Sequence, residues 1–152
     1  MIQHIPELTG TAFLESTIRH LLDMTAAPKY GEDYADPSAD FWVEAAVVGW
    51  RPELRTKESA PTLLAYAETL VDSEQRNGEK YHYRSVLTNM LGMVLERAGQ
   101  GSLQEQLQNE IWRKLGPEQD AAIVVDSVGF PYVGAGMSAC ARSCSLWTHD
   151  RS

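Results

Sequence analysis

The sequence predicts a mostly α-helical chain with a few short strands, and three observations carry that expectation. Apolar residues recur at helical spacing in the middle of the chain, with Leu87, Leu91, Val94, Leu95 and Ala98 on one stripe. Ser102 and Glu105 spell S-x-x-E, the pattern of a capping box, ahead of a second stripe formed by Leu103, Leu107, Ile111 and Leu115. Apart from a short alternating stretch just before that first stripe, strand-like sequence is confined to the β-branched run 121–125 and a short extended piece at 130–133. Strands that short do not hold a sheet together by themselves, and their edges need partners.

Taken in order, Ile2, Ile5 and Leu8 are apolar from the start, and Pro6 and Gly10 mark a turn. Thr17 is placed to cap a short helix over 18–24, with Ile18, Leu21 and Leu22 inward and Pro28 beyond its end. Residues 29–40 read as a loop rich in turn formers and carboxylates, carrying Tyr30 and Tyr34. Ser38 then caps a helix over 39–48, with Phe41, Ala45 and Val48 on one face and Gly49 as its stop. Residues 51–60 are polar. Pro61 opens a helix running to about Val71, with Leu63, Leu64, Ala67, Leu70 and Val71 buried.

The stretch 78–91 changes period halfway. Tyr81 and Tyr83 share one side of a short strand, with Lys80, His82 and Arg84 on the other. From Ser85, a good N-cap, the spacing becomes helical over 86–98. Residues at such a junction are held from both sides by regular structure, and Tyr83 brings a phenol that can give or take a proton. Gly116-Pro117 ends the following helix.

Bulk properties narrow the chemistry. The 152 residues carry a net charge of −8 with no cluster of Lys and Arg. This argues against nucleic acid or anionic lipid as partner. No apolar run reaches membrane-spanning length, and no signal peptide is recognisable, so the default expectation is the cytoplasm. His4, His20, His82 and His149 are scattered without ligand spacing, and Cys140 and Cys144 alone make neither a zinc site nor a disulfide framework. No metal and no cofactor are expected. G-x-G-x-x-G, G-x-x-x-x-G-K-[ST] and G-x-S-x-G are all absent.

Six elements in register resemble one known family. Arg19-His20-Leu21-Leu22-Asp23-Met24-Thr25 resembles the R-H-L-L-x-M/H-T signature of the serine β-lactamase-like hydrolases. That group includes class C β-lactamases, D-alanyl-D-alanine carboxypeptidases and related esterases. Tyr81-His82-Tyr83-Arg84-Ser85 resembles its F-x-Y-S-N element, followed by a G-x-x-x-E-R helix at Gly92, Glu96 and Arg97. Gly101-Ser102-Leu103, Ile111-Trp112-Arg113-Lys114-Leu115-Gly116 and the segment 120–126 continue the match. With Lys29-Tyr30-Gly31-Glu32-Asp33-Tyr34 and Asp36-Pro37, the set is most similar to the 6-aminohexanoate-dimer hydrolase branch.

The resemblance implies a partial domain over residues 1–142 of the α/β β-lactamase-like, penicillin-binding-protein-like fold. It also implies a small amide or ester substrate cleaved through an acyl-serine. Tyr83 matches the tyrosine that handles protons alongside the S-x-x-K nucleophile and its lysine. Ser85 stands where the family usually has Asn, and Tyr30 matches a substrate-loop tyrosine. A neutral serine is a poor nucleophile, which is why such helpers are needed.

Three departures shape the functional expectation. No S-x-x-K occurs: Ala26, Leu54, Asn77 and Ile111 stand three before Lys29, Lys57, Lys80 and Lys114. The family places that motif before R-H-L-L-x-M-T, so an internal fragment with its nucleophile segment upstream of Met1 is expected. The family's K-T-G or H-x-G strand is also absent. Finally, 143–152 does not continue the family pattern, and a one-base shift of suitably chosen codons restores A-R-F-G. A frameshifted tail is therefore expected. The chain is predicted to be inactive alone, either as a non-catalytic remnant or as one half of a complemented hydrolase.

Overall fold

The structure is a computed structural model and describes residues 1–99 and 101–143. Most of the predicted tail, with Cys144 and His149, lies outside the described residues. The helices are α1 (Ile18–Leu22), α2 (Asp40–Val47), α3 (Leu63–Glu68), α4 (Ser85–Ala98), α5 (Leu103–Leu107) and α6 (Arg113–Leu115). Short 3-10 turns occupy Pro6–Leu8 and Pro52–Leu54, and a π turn, Gln108–Trp112, joins α5 to α6. The strands β1 (Ala122–Ile123) and β2 (Met137–Ser138) pair antiparallel, Ala122 opposite Ser138 and Ile123 opposite Met137. The helix-rich character with scraps of strand is as the sequence implies.

α4 is the axis of the molecule. Val86, Leu87, Met90, Met93 and Val94 enter a core shared with Leu21 of α1, Phe41 and Val47 of α2, and Leu63 and Tyr66 of α3. Ile5, Leu8 and Phe13 close it from the N-terminal segment, and Phe130 and Tyr132 close it from the C-terminal one. The buried face is rotated from the predicted stripe. Leu95 is 55% exposed, because the side of α4 that carries it borders an open apolar cleft with Leu103, Ile111 and Met137. Leu22 and Val71, expected inside, also face outward, while their neighbours Leu21 and Leu70 are buried as expected.

Local chemistry explains the element boundaries. Thr17 and His20 form a reciprocal capping box on α1: the hydroxyl accepts from the His20 amide, and the His20 ring accepts from the Thr17 amide. Ser102 and Glu105 do the same for α5, as the sequence predicts. Ser38 does not cap α2; Ala39 occupies that position, and the Ser38 hydroxyl turns to Asp36. Thr62 caps α3 through the Ala65 amide. The buried Asp126 adds a long-range cap, its Oδ2 accepting from the Leu63 amide at 3.0 Å while Oδ1 accepts from Val128 and Phe130.

The predicted run 121–125 shrinks to a two-residue strand. Beyond it an isolated bridge joins Val125 to Pro131, and the Tyr132 amide donates to the Val124 carbonyl. No helix among the described residues is long and apolar enough to cross a membrane.

Gly92 shows how closely α4 is approached. A methyl group there would fall 2.7 Å from Val133 Cγ2 and 3.0 Å from Leu103 Cδ2. Overpacking of this kind costs about 1–3 kcal/mol, while alanine returns about 1 kcal/mol of helix propensity. Gly92→Ala is therefore expected to lower the unfolding free energy by about 1 kcal/mol on balance. Urea denaturation measures it, and a raised midpoint would show that Val133 gives way freely.

Candidate functional site

The N-terminus of α4 is where the predicted residues meet. The stretch before it is extended but forms no strand; it is held by single contacts, the His82 amide donating to the Met24 carbonyl at 2.9 Å. Met24 itself adopts φ 53°, an uncommon left-handed conformation for a side chain of its size. Arg84, not Ser85, is the N-cap residue of α4, and it makes no side-chain cap bond.

Capping is done instead by a carboxylate 53 residues away in sequence. Glu32 Oε2 accepts from the Ser85 amide at 2.7 Å, and Oε1 accepts from the Ser85 hydroxyl at 2.6 Å. An anion here satisfies an orphan amide and sits at the positive end of the helix dipole. Glu32 Oε1 also accepts from the Tyr34 hydroxyl at 2.6 Å. That hydrogen bond, with burial and the charge of Glu32, pushes the Tyr34 phenol up to about 12. Tyr34 is anchored at its other end, its ring edge-on to Phe41 at 4.9 Å.

Tyr83 stands half exposed beside this group, close enough to contribute electrostatically to the raised values of Tyr34 and Tyr132. Ser85 is 2% exposed, and its hydroxyl proton is committed to Glu32. Ser85 therefore has no open path as a nucleophile. The phenols of Tyr34 and Tyr83 both meet solvent, and that of Tyr34 is bonded to Glu32.

The orientation of Tyr83 is enforced from the opposite side of the chain. Arg84 is fully buried: Nη1 donates to the carbonyls of Ala26 at 3.2 Å and His82 at 3.1 Å, and Nη2 pairs with Glu74. His82 Nδ1 lies 2.7 Å from the same Glu74 oxygen. With Arg84 directed inward, Tyr83 is turned outward.

Tyr30 is placed differently from the expectation of a substrate contact. It is 1% exposed, and its hydroxyl donates to Glu44 Oε2 at 2.7 Å. Burial, then the charge and hydrogen bond of Glu44, hold its phenol far above the usual range. A tyrosine so enclosed cannot touch substrate without unpacking the core. The exposed tyrosine of that loop is Tyr34, four residues on. Reasoning from sequence also missed Glu32, Glu44 and Arg84. A faint signal for Glu32 was its two-residue spacing from both Tyr30 and Tyr34. Among the described residues, no group of three His, Cys, Asp or Glu is placed to hold a metal ion.

The Beta-lactamase family profile matches residues 2–143. The 6-aminohexanoate-dimer hydrolase of Paenarthrobacter ureafaciens is 30% identical over 140 residues, which are 92% of this chain and 35% of that protein. A solved Bacillus anthracis structure assigned as a 6-aminohexanoate-dimer hydrolase superposes with a TM-score of 0.78 at 22% identity, over 96% of this chain and 38% of that one. The chain thus spans little more than a third of the length of these relatives. By its profile match over residues 2–143, the chain belongs to the Beta-lactamase family.

Proposed function

We propose that this chain carries the tyrosine side of a serine hydrolase that cleaves small amide or ester substrates through an acyl-serine. Tyr83 serves as general acid and base, and Ser85 beside it binds the Glu32 carboxylate. The observation that carries this reading is that Tyr83 is half exposed and directly precedes the buried Arg84 and the Glu32-bound Ser85. A phenol so held can pass a proton between an attacking hydroxyl and a leaving group, a role worth typically about 10²–10⁴ in rate.

The 152 residues contain no S-x-x-K, and Ser85 is closed off, so the chain alone is expected to form no acyl-enzyme. The net charge of −8 favours a small-molecule substrate over nucleic acid. The reading includes a cytoplasmic setting and no cofactor.

Incubation with a fluorophosphonate or penicillin probe tests both halves of the proposal. The purified chain is expected to remain unlabelled; stoichiometric labelling would overturn the assignment of an idle site. Co-expression with a segment of the relatives that bears S-x-x-K is expected to restore labelling on that segment. Tyr83→Phe should then slow labelling about 10²–10⁴-fold. If no labelling appears in the co-expressed pair, the chain is a non-catalytic remnant.

A further inference from the structure

Beneath Ser85 lies a second polar assembly, which the proton handling assigned to Tyr83 does not use. Glu44 of α2 is fully buried, yet its carboxyl reaches α4. Oε1 accepts from Asn89 Nδ2 at 2.9 Å, and Oε2 accepts from the Tyr30 hydroxyl at 2.7 Å. Asn89 Oδ1 in turn accepts from the Gly134 amide at 2.9 Å. Gly134 packs directly on the start of the helix: a Cβ there would sit 3.0 Å from the Ser85 carbonyl oxygen and 3.2 Å from its Cβ.

Two rungs therefore tie the 30–32 segment to α4. Glu32 meets Ser85, while Tyr30 meets Asn89 one turn further on, with Glu44 between them. The rungs share a face of the helix, since residues four apart are neighbours on it.

The second rung has a fixed polarity. A backbone amide only donates, so Asn89 must turn its oxygen to Gly134 and its NH₂ to Glu44. Glu44 must then offer an acceptor. An apolar residue in its place would leave Asn89 free to turn over, and Gly134 would lose its acceptor. A network of this kind holds one geometry only while every member is satisfied.

We propose that Glu44 is a positioning residue for the site: through Asn89 it holds Gly134 against Ser85 and so fixes where the Ser85 hydroxyl stands beside Tyr83. The proposal rests on Ser85 and Tyr83 being the working pair. It adds that the site answers to the charge of a carboxyl that never touches substrate. Burial pushes that carboxyl up to about 7, against the hydrogen bonds from Tyr30 and Asn89 and with help from the charges of Glu32 and Asp40. The phenols of Tyr30, Tyr66 and Tyr132 complete the ionisable groups around it. Ionisation strengthens the hydrogen bond from Asn89, and through Asn89 the hold on Gly134.

The test is an amide NMR titration of the full chain, which needs no catalytic activity. The Gly134 amide is expected to shift in a single step with a midpoint near 7. In Glu44→Gln that step should vanish. In Asn89→Ala the step at Gly134 should also be lost, which separates a relay through Asn89 from a field acting through space. A Gly134 amide that stays flat across this range in the unsubstituted chain overturns the proposal, as does a step that survives in Glu44→Gln. The unsubstituted chain and the near-isosteric Gln variant decide the question even if Asn89→Ala does not fold. Probe labelling tests the working pair separately, so the two ideas can fail independently.

Discussion

Glu74→Ala is expected to lower the unfolding free energy by about 3 kcal/mol, the cost of leaving a buried cation without its counter-charge. Arg84 is fully buried; besides Glu74 it meets the backbone carbonyls of Ala26 and His82 and the His82 ring at Nδ1, all neutral acceptors that supply no counter-charge, and its Nε has no partner. The carboxylate of Glu74 is the only full charge that neutralises it among the described residues. Removing one partner of a buried pair typically costs about 3–5 kcal/mol. The lower end applies because Glu74 is itself a third exposed.

The double variant Glu74→Ala with Arg84→Met should recover much of that loss, since an apolar chain of similar length fits the space without a charge. Urea denaturation of the three proteins measures the effect. If the double variant were no more stable than Glu74→Ala alone, the unpaired charge would not be the cause. The pair also sets an acid limit. Burial raises the Glu74 carboxyl, but the hydrogen bond from His82 and the charge of Arg84 outweigh it, and the net value lies below the ordinary one. The stabilisation is thus complete above the unfolded carboxylate range and is lost as pH falls through the lowered folded value.

The second large effect has the opposite sign. The Glu44 carboxyl is raised from 4.5 to about 7 in the folded chain, so between those values the folded protein binds a proton that the unfolded chain has released. Its contribution to stability is present in full below the unfolded value and is lost as pH rises through the folded one. A shift of that size corresponds to about 3 kcal/mol. Stability should therefore increase by about that amount from pH 8 down to pH 5, the reverse of ordinary acid destabilisation. Glu44→Gln should remove the slope. Parallel slopes in the two proteins, followed by urea unfolding at each pH, would show that another group titrates.

Much of the scaffold was legible because it is local. The capping box of Ser102 and Glu105, the long helix after Tyr83 and the turn chemistry of Gly116 each depend on residues a few positions apart, and each stands as expected. What was misread depends on distant partners. Arg84 alternates with Lys80 and His82 and so reads as an exposed cation; it is buried because Ala26 and Glu74 meet it from elsewhere in the chain. Glu44 lies within Asp-Phe-Trp-Val-Glu-Ala-Ala-Val and reads as the polar face of a short helix. Tyr30 and Asn89, which make its burial tolerable, lie 14 and 45 residues away.

The second helical stripe failed for a geometric reason. The π turn over Gln108–Trp112 slips the register, so Trp112 is buried where Ile111 was expected, and Ile111 is 40% exposed. At the site, Tyr83 is half exposed and Ser85 buried at the start of α4. No sequence rule showed that the Ser85 hydroxyl would be taken by Glu32, 53 residues earlier.

The closure of the core has a consequence in time. At the far end of α4, Arg97 grips Glu7 with both terminal nitrogens, at 2.6 and 2.7 Å, and also donates to the His4 carbonyl. The two residues are 90 positions apart. During synthesis at roughly 5–20 residues per second, the segment holding Ile5 and Leu8 waits roughly 5–18 s before its clamp exists. Those side chains are fully buried in the finished fold, so through that interval they are exposed to chaperones and to one another. Phe130 and Tyr132 close the same core, so the clamp shortens the exposure of the nascent chain but does not end it until the C-terminal segment has also been made.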